Sequence, residues 1–312
     1  MIEILTLTAN PAVDVSTAVE HVVDAHKLRC ETAVRHPGGG GINVARVIQR
    51  LDGSRAYCLA LYFAGGLTGD LLEQLLATER LDNRRLLITG ETRENFAVKE
   101  RSTGREFRFV MPGPVVDAGA WAHAIAIFEA LSPAPRFLVI SGSMPPGMQA
   151  HDYADLARRA NARGTRVVLD TSGEPLAAAL EAGVFLVKPS LGELAELVGR
   201  PVTEEAAQVS AARTLVEQGR AQIVALTLGQ DGALLVSAHE TIRLKALPVS
   251  VSSAIGAGDS FLAGLIVALR RGDGLEAAGR LALAAASATL LTSGTALCDA
   301  AQVRQLLSSQ EH

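Results

Sequence analysis

The sequence predicts an α/β protein: a parallel sheet covered by helices on both faces, an α/β/α sandwich of three layers, with a second, small β-sheet projecting from its edge. Two observations predict the layers. Short apolar runs of strand length alternate with helical patterns from residue 117 to residue 309. Strands separated by helices pair in parallel, and each crossover helix must pack on a face of the sheet. A third observation predicts the small sheet: stretches 12–36 and 88–112 break this rhythm with polar and apolar residues in alternation.

In chain order, residues 3–8 form a β-rich apolar run closed by Asn10-Pro11 and read as a buried strand. After the mixed stretch 12–37 come Gly38–Gly41, then Ile42, Val44, Ala45, Val47, Ile48 and Leu51 at helical spacing, with Gly53 placed to end that helix. Residues 55–63 read as a strand, Gly65-Gly66 as a turn, and Leu71, Leu72, Leu75 and Leu76 as a helix face. Residues 95–101 and 105–111 flank Ser102-Thr103-Gly104 as a hairpin. In its second arm Phe107, Phe109 and Met111 alternate with Glu106 and Arg108, the period of a strand with one wet face. Helix 117–131 then precedes strand 137–141, helix 151–163 strand 166–170, helix 174–182 strand 184–187, and helices 191–198 and 203–218 strand 222–228. A hairpin, 233–236 and 241–244, leads to terminal helices 258–271, 275–292 and 300–309.

Composition excludes several classes. The 312 residues are 48% hydrophobic and 20% charged, which rules out disorder, collagen and coiled coil as whole-chain descriptions. A net charge of −4 and only 4% aromatic residues leave no basic field and no stacking platform, so nucleic acid is not an expected partner. No uncharged run reaches the roughly 18–20 residues of a membrane span, and the N-terminus lacks a signal peptide's basic region. Cys30, Cys58 and Cys298 lie far apart without a CxxC and read as reduced thiols of a cytoplasmic protein.

Five segments can carry chemistry. In Gly256-Ala257-Gly258-Asp259-Ser260-Phe261 small residues open a helix, so free backbone N–H groups can meet an anion while Asp259, in the first turn, takes a proton from an alcohol. The same residues could form an ordinary Gly-rich turn. Gly38–Asn43 lets backbone amides approach a ligand, or forms a helix-entry turn; Asn43 stands where a dinucleotide fingerprint needs its third glycine. Asp14, just past the first strand, can grip sugar hydroxyls, though on its own it reads more simply as a lone Asp in a turn. Lys188-Pro189-Ser190-Leu191-Gly192-Glu193 follows a buried strand and opens a helix, where Glu193 either binds Mg²⁺ through water or caps the helix. Thr227-Leu228-Gly229-Gln230-Asp231-Gly232 is either a nucleotide-phosphate loop or a β-turn. There is no P-loop and no G-x-S-x-G, which leaves Ser143 without a nucleophile's setting, and the seven histidines have no zinc-site spacing.

Taken together, GGGGINVAR (38–46) and GAGDSF (256–261) resemble the two signatures of the ribokinase-like, PfkB-type sugar kinases, and the intervening TLTANPAVD (6–14), KLRC (27–30), EFRFVMPG (106–113) and ISGSMPPG (140–147) fit the same family over essentially the whole chain. The resemblance implies one kinase domain over 1–312 with a discontinuous lid at about 12–36 and 88–112, and a homodimer formed through the lid. It implies phosphoryl transfer from MgATP to the C1 hydroxyl of fructose 6-phosphate, with fructose 1-phosphate or tagatose 6-phosphate as alternative acceptors. Relatives using those alternatives carry Lys in the glycine run where this chain has Gly40. Asp259 would be the base and Gly256, Ala257 and Gly258 the anion hole. Asp14, Gly39, Gly40, Asn43 and Ser141 would hold the sugar, and Lys27 and Arg93 its phosphate. Lys188, Ser190, Glu193, Thr227, Gly229, Gly232 and Ser287 would line the ATP site. Two departures stand out: Ser190 replaces an Asn of the Mg²⁺ shell, and Ser253 replaces an Asp of a monovalent-cation site, leaving a K⁺ site to carbonyls near Ser253, Ile255 and Gly294. An NAD(P)-dependent oxidoreductase and a catalytically silent sugar-phosphate sensor are the remaining alternatives.

Overall fold

The computed structural model describes residues 1–24, 26–53 and 57–310. At the heart of the large sheet is β1 (Ile4–Thr8), buried throughout and flanked by two parallel neighbours, β4 (Cys58–Ala64) and β8 (Phe137–Ser141). Beyond β4 lies β5 (Asn83–Leu87). Beyond β8 follow β9 (Arg166–Asp170), β10 (Val184–Val187), β11 (Ala221–Thr227), β12 (Ala233–Ser237) and β13 (Thr241–Leu244), nine strands in all. Pairing is parallel as far as β11, and β12–β13 add an antiparallel hairpin at the edge. The chain leaves β1 on one side for β4 and returns on the other for β8, and such a reversal opens a crevice at the carboxyl ends of the strands.

Helices α1 (Gly40–Asp52), α2 (Gly66–Thr78), α8 (Ala257–Arg271), α9 (Leu275–Leu290) and α10 (Ala300–Ser308) cover one face. The other carries α3 (Ala118–Ala130), α4 (Ala150–Ala162), α5 (Gly173–Leu180), α6 (Leu191–Val198) and α7 (Glu205–Glu217). Ile4 packs into the first core, Leu5 and Leu7 into the second, as alternation in a doubly covered strand requires. Helix α1 ends where expected, with Gly53 at φ 68° and its N–H on Gln49 O. Helix α8 lies so close to α9 that a Cβ at Gly264 would stand 2.7 Å from Ala282 Cα.

The second sheet has the order β3-β2-β6-β7, built from β2 (Ala12–Val19), β3 (Val34–Gly38), β6 (Arg93–Glu100) and β7 (Glu106–Phe109). It corresponds to the two stretches that break the helix–strand rhythm, but it is not wholly antiparallel: β2 and β6 pair in parallel from Ala12↔Arg93 to Val19↔Glu100. The reason lies in the large sheet. Strand β2 continues from β1 and β6 from β5, and those two point the same way. Strand β5 itself escapes the sequence reading, because only Leu86 of its Asn-Arg-Arg-Leu-Leu is buried, as suits a charged edge strand. The expected strand start at Arg55 lies outside the described residues. The alternation in β7 does not divide a buried face from a wet one, since Arg108 and Phe109 are both exposed and both line the central cleft. Glu106 is turned to the loop before α8 and Arg108 to the central cleft, while Phe109 is 51% exposed. No helix among the described residues is long and apolar enough to cross a membrane.

Candidate active site

The carboxyl ends of β1, β8, β9 and β10, the start of α8 and the small sheet enclose a cleft of about 420 Å³. It gathers Asp14, Gly39, Gly40, Asn43, Arg93, Ser141, Lys188, Glu193, Ile255, Gly256, Gly258 and Asp259 from separate parts of the chain. Close backbone approach shapes its floor: a Cβ at Gly40 would lie 2.3 Å from Ser141 Oγ, and one at Gly38 would lie 2.2 Å from Asp14 Oδ2.

At the start of α8, Gly256 adopts φ 78°, a left-handed turn that suits glycine; no side chain caps the first-turn amides, and the Ala257 N–H makes only a long bond to Ala254 O at 3.4 Å. Asp259 follows in that turn and accepts a hydrogen bond from Asn43 Nδ2 at 2.9 Å. Burial pushes the Asp259 carboxyl up to about 7, helped by the charge of Asp170 and opposed by the Asn43 hydrogen bond and Lys188. A carboxylate titrating near neutrality beside free amides can accept a proton from a substrate hydroxyl.

Asp14 accepts from Asn95 Nδ2 at 2.9 Å. Burial raises its pKa against the pull of that bond, Arg93 and Arg108. Arg93 donates from Nη2 to Asn10 O at 2.8 Å and from Nη1 to Met111 O at 2.9 Å, with Ser143 Oγ at 3.3 Å. Those acceptors are neutral, so the guanidinium keeps its positive charge for an anion in the cleft. Arg108 lines the same space and is exposed. On the opposite wall Lys188 Nζ pairs with Asp170 Oδ1 at 3.0 Å, and Ser141 Oγ donates to Asp170 Oδ2 at 3.3 Å. Burial pulls the Lys188 pKa down, but Asp170, Asp259 and Glu193 outweigh it and hold the ammonium charged.

Several expected residues lie outside the cleft lining. Lys27 is exposed in the β2–β3 connection. Ser190 caps α6: its N–H donates to Glu193 Oε2 at 2.7 Å and its Oγ accepts from Glu193 N at 3.3 Å. Glu193 is thus both a cap and a cleft residue. A backbone bridge joins Ser190 to Thr227, which brings the 188–193 and 227–232 segments together. Gly229 and Gly232 both have positive φ, and a Cβ at Gly232 would meet Leu244 O at 2.1 Å. Ser287 is buried within α9 and Ser253 beneath the loop before α8, where its Oγ donates to Glu106 at 3.0 Å. Gly294, at φ 59°, abuts Ser16 of the small sheet.

The sequence reading missed Asp170, Asn95 and Arg108. Asp170 carried a usable signal: it is a carboxylate at the carboxyl end of a buried strand, the setting expected for Asp14, which instead lies near the start of β2. Arg108 was concealed in an alternation that reads as a solvated face. Among the described residues, no group of three or more His, Cys, Asp or Glu is placed to hold a metal on its own.

Comparison with known proteins gives the family and the fold. The profile of a family described as pfkB family carbohydrate kinase matches residues 8–302. The ATP-dependent 6-phosphofructokinase isozyme 2 of Mycobacterium tuberculosis is 42% identical over 299 residues, 95% of this chain and 86% of that protein. The phosphofructokinase-2 of Escherichia coli superimposes with a TM-score of 0.95 and 36% identity in its complex with substrates and products. Its potassium complex gives 0.94 and 38%, and both structures cover 100% of each chain.

Proposed function

Because the chain belongs to the pfkB family of carbohydrate kinases, we propose that it is an ATP-dependent 6-phosphofructokinase that transfers the γ-phosphoryl group to the C1 hydroxyl of fructose 6-phosphate. The observation that carries this reading is the presence, within one cleft, of a carboxyl group titrating near neutrality, Asp259, and a guanidinium, Arg93, whose hydrogen bonds all go to neutral acceptors. An acceptor that already bears a phosphate needs a fixed cation to hold it, and Arg binds phosphate through paired N–H donors. Arg93 and Arg108 hold the phosphate, Asp14 and Asn43 the hydroxyls. The far hydroxyl meets Asp259, which takes its proton as the oxygen attacks the γ-phosphorus and ADP departs. The anion hole at Gly256, Ala257 and Gly258 holds the transferring oxygens. Gly40 supports fructose 6-phosphate over the alternatives, since the floor beside Ser141 has no space for the lysine side chain of the sister enzymes.

ATP lies along the 188–193 and 227–232 segments, with Lys188 on its phosphates. Mg²⁺ takes few carboxylates and keeps waters and phosphates as ligands. Glu193 fits that demand, since it lines the cleft and is braced by Ser190. When bound, Mg²⁺ would neutralise phosphate charge, held by Glu193 through water. Carbonyls of Ser253, Ile255 and Gly294 would suit K⁺, a hard cation that prefers oxygen. Loop 252–253 is tied to the end of α9 by Ser252 N on Leu290 O at 2.7 Å, next to the turn that holds Gly294.

On this reading the chain is one kinase domain, and the small sheet is its lid. The exposed apolar patch of Phe96, Phe109 and Met111 supports a homodimer formed through the lid. The free cysteines accord with the cytoplasm. A coupled ADP-release assay over a panel of sugars tests the function. Fructose 6-phosphate should be best, tagatose 6-phosphate weaker, and free fructose and ribose very poor. A higher kcat/KM for fructose 1-phosphate overturns the reading, because the phosphate anchor would lie at the wrong end. A nicotinamide fluorescence titration should show no binding.

A further inference from the structure

Arg46 is a buried charge that the transfer chemistry does not itself use. It is 1% exposed, on the first helix after the glycine run. Its Nη2 is paired with Glu79, which also holds Arg50 at 2.9 Å. Its Nη1 donates to Pro37 O at 2.9 Å and to Asn43 Oδ1 at 3.2 Å. A guanidinium has donors only, whereas a side-chain amide has one donor end and one acceptor end of nearly equal shape. The atom of Asn43 that faces Arg46 must therefore be its oxygen, and its NH₂ is turned towards Asp259.

We propose that Arg46, braced by Glu79, is a positioning residue that fixes the orientation of the Asn43 amide, so that an N–H donor and not the carbonyl oxygen meets Asp259. The inference rests on Asp259 being the base. A donor stabilises the carboxylate form of Asp259, whereas a reversed amide would present an acceptor and stabilise its protonated form. With Arg46 gone, only the charge of Asp259 itself still favours the N–H end, and that preference is lost as Asp259 takes up a proton. The other charges near Asp259 are Asp170 and Lys188 on the opposite wall and Asp14 from the small sheet. Of these, Asp14 also feels the Arg46 charge, which Arg46→Lys preserves.

Arg46→Lys tests this at constant charge. A lysine nitrogen is a single point of donation, so it can stay with Glu79 but loses the fork that reaches Asn43. The acid limb of the kcat profile should move up by about one pH unit, lowering kcat at pH 7 about fivefold while the rate recovers by pH 9. The carboxyl ¹³C resonance of Asp259 in ligand-free protein should show the same upward shift. Arg46→Met/Glu79→Gln, which removes one charge of each sign, should shift both readouts in the same direction. A purely structural role for Arg46 would instead lower kcat equally at every pH. A folded Arg46→Lys variant with an unmoved limb overturns the proposal. Should Arg46→Lys not fold, the double variant decides by the same criterion. Failure of the underlying reading has a separate signature: Asp259→Asn would retain wild-type turnover.

Discussion

Lys188 Nζ lies 3.0 Å from Asp170 Oδ1, so the ends of neighbouring strands β10 and β9 are joined by a buried ion pair under the cleft. Breaking such a pair leaves an uncompensated buried charge. Lys188→Met should therefore destabilise the fold by about 3–5 kcal/mol in urea denaturation at pH 8. Burial already raises the Asp170 pKa, and loss of Lys188 removes the main opposing pull. The cost should accordingly shrink as pH falls and Asp170 takes up a proton. Adding Asp170→Asn should recover most of the loss at pH 8. An equal deficit at pH 8 and pH 5 would contradict this account.

Asp259→Asn keeps the shape of the side chain but cannot accept a proton. Turnover should fall roughly 10²–10⁴-fold, with ATP affinity nearly unchanged by calorimetry. A carboxylate acts as a base only when ionised, and the Asp259 pKa stands at about 7. Wild-type kcat/KM for the sugar should thus rise with pH through about 7 and level off above it. A flat profile from pH 5 to 9, or a change in kcat below about tenfold in the variant, would exclude Asp259 as the base.

Arg93→Ala should raise KM for fructose 6-phosphate far more than KM for ATP. Its guanidinium is held by Asn10 O and Met111 O, so the charge is fixed in place before the phosphate arrives. Removing a preplaced charged hydrogen bond costs about 1.5–3 kcal/mol, or roughly 10–100-fold in affinity. Equal rises in both KM values would mean that the variant had disturbed the cleft as a whole.

Phe109→Asp should shift the protein towards monomer in analytical ultracentrifugation and raise KM for the sugar. Phe109 pairs across the strands with Phe96, and both rings are exposed in the single chain, at 51% and 38%. A charge in a buried apolar interface is costly. A variant that stays dimeric with unchanged kinetics would remove the small sheet from the interface.

Much of this fold is legible in the sequence. Strands β8, β9 and β10 stand at the residues their apolar runs indicate, because burial on both faces makes their centres unbroken apolar runs, and polar residues such as Arg166, Asp170 and Ser141 fall only at their ends. Strand β5 is illegible for the opposite reason: it lies at an edge, and its arginines answer to solvent and to α2. Asp259 and the glycine runs announce themselves because each needs a special backbone. Asp170 and Arg108 do not, since one closes an ordinary buried strand and the other sits in an ordinary alternation. Their importance comes only from what the tertiary fold places opposite them. Lys27 is legible as a residue, but its exposed position in one chain gives it no partner in the cleft.

The parallel pairing of β2 with β6 also dictates an order of events during synthesis. Ala12 must wait for Arg93, about 80 residues later, before its ladder can form. At about 5–20 residues per second, that interval lasts roughly 4–16 s. Throughout it, Val13 and Val15, both buried in the finished molecule, belong to a strand with one side unpaired. For that interval the nascent chain therefore carries an open β-edge, a surface on which a chaperone or a neighbouring nascent chain can pair.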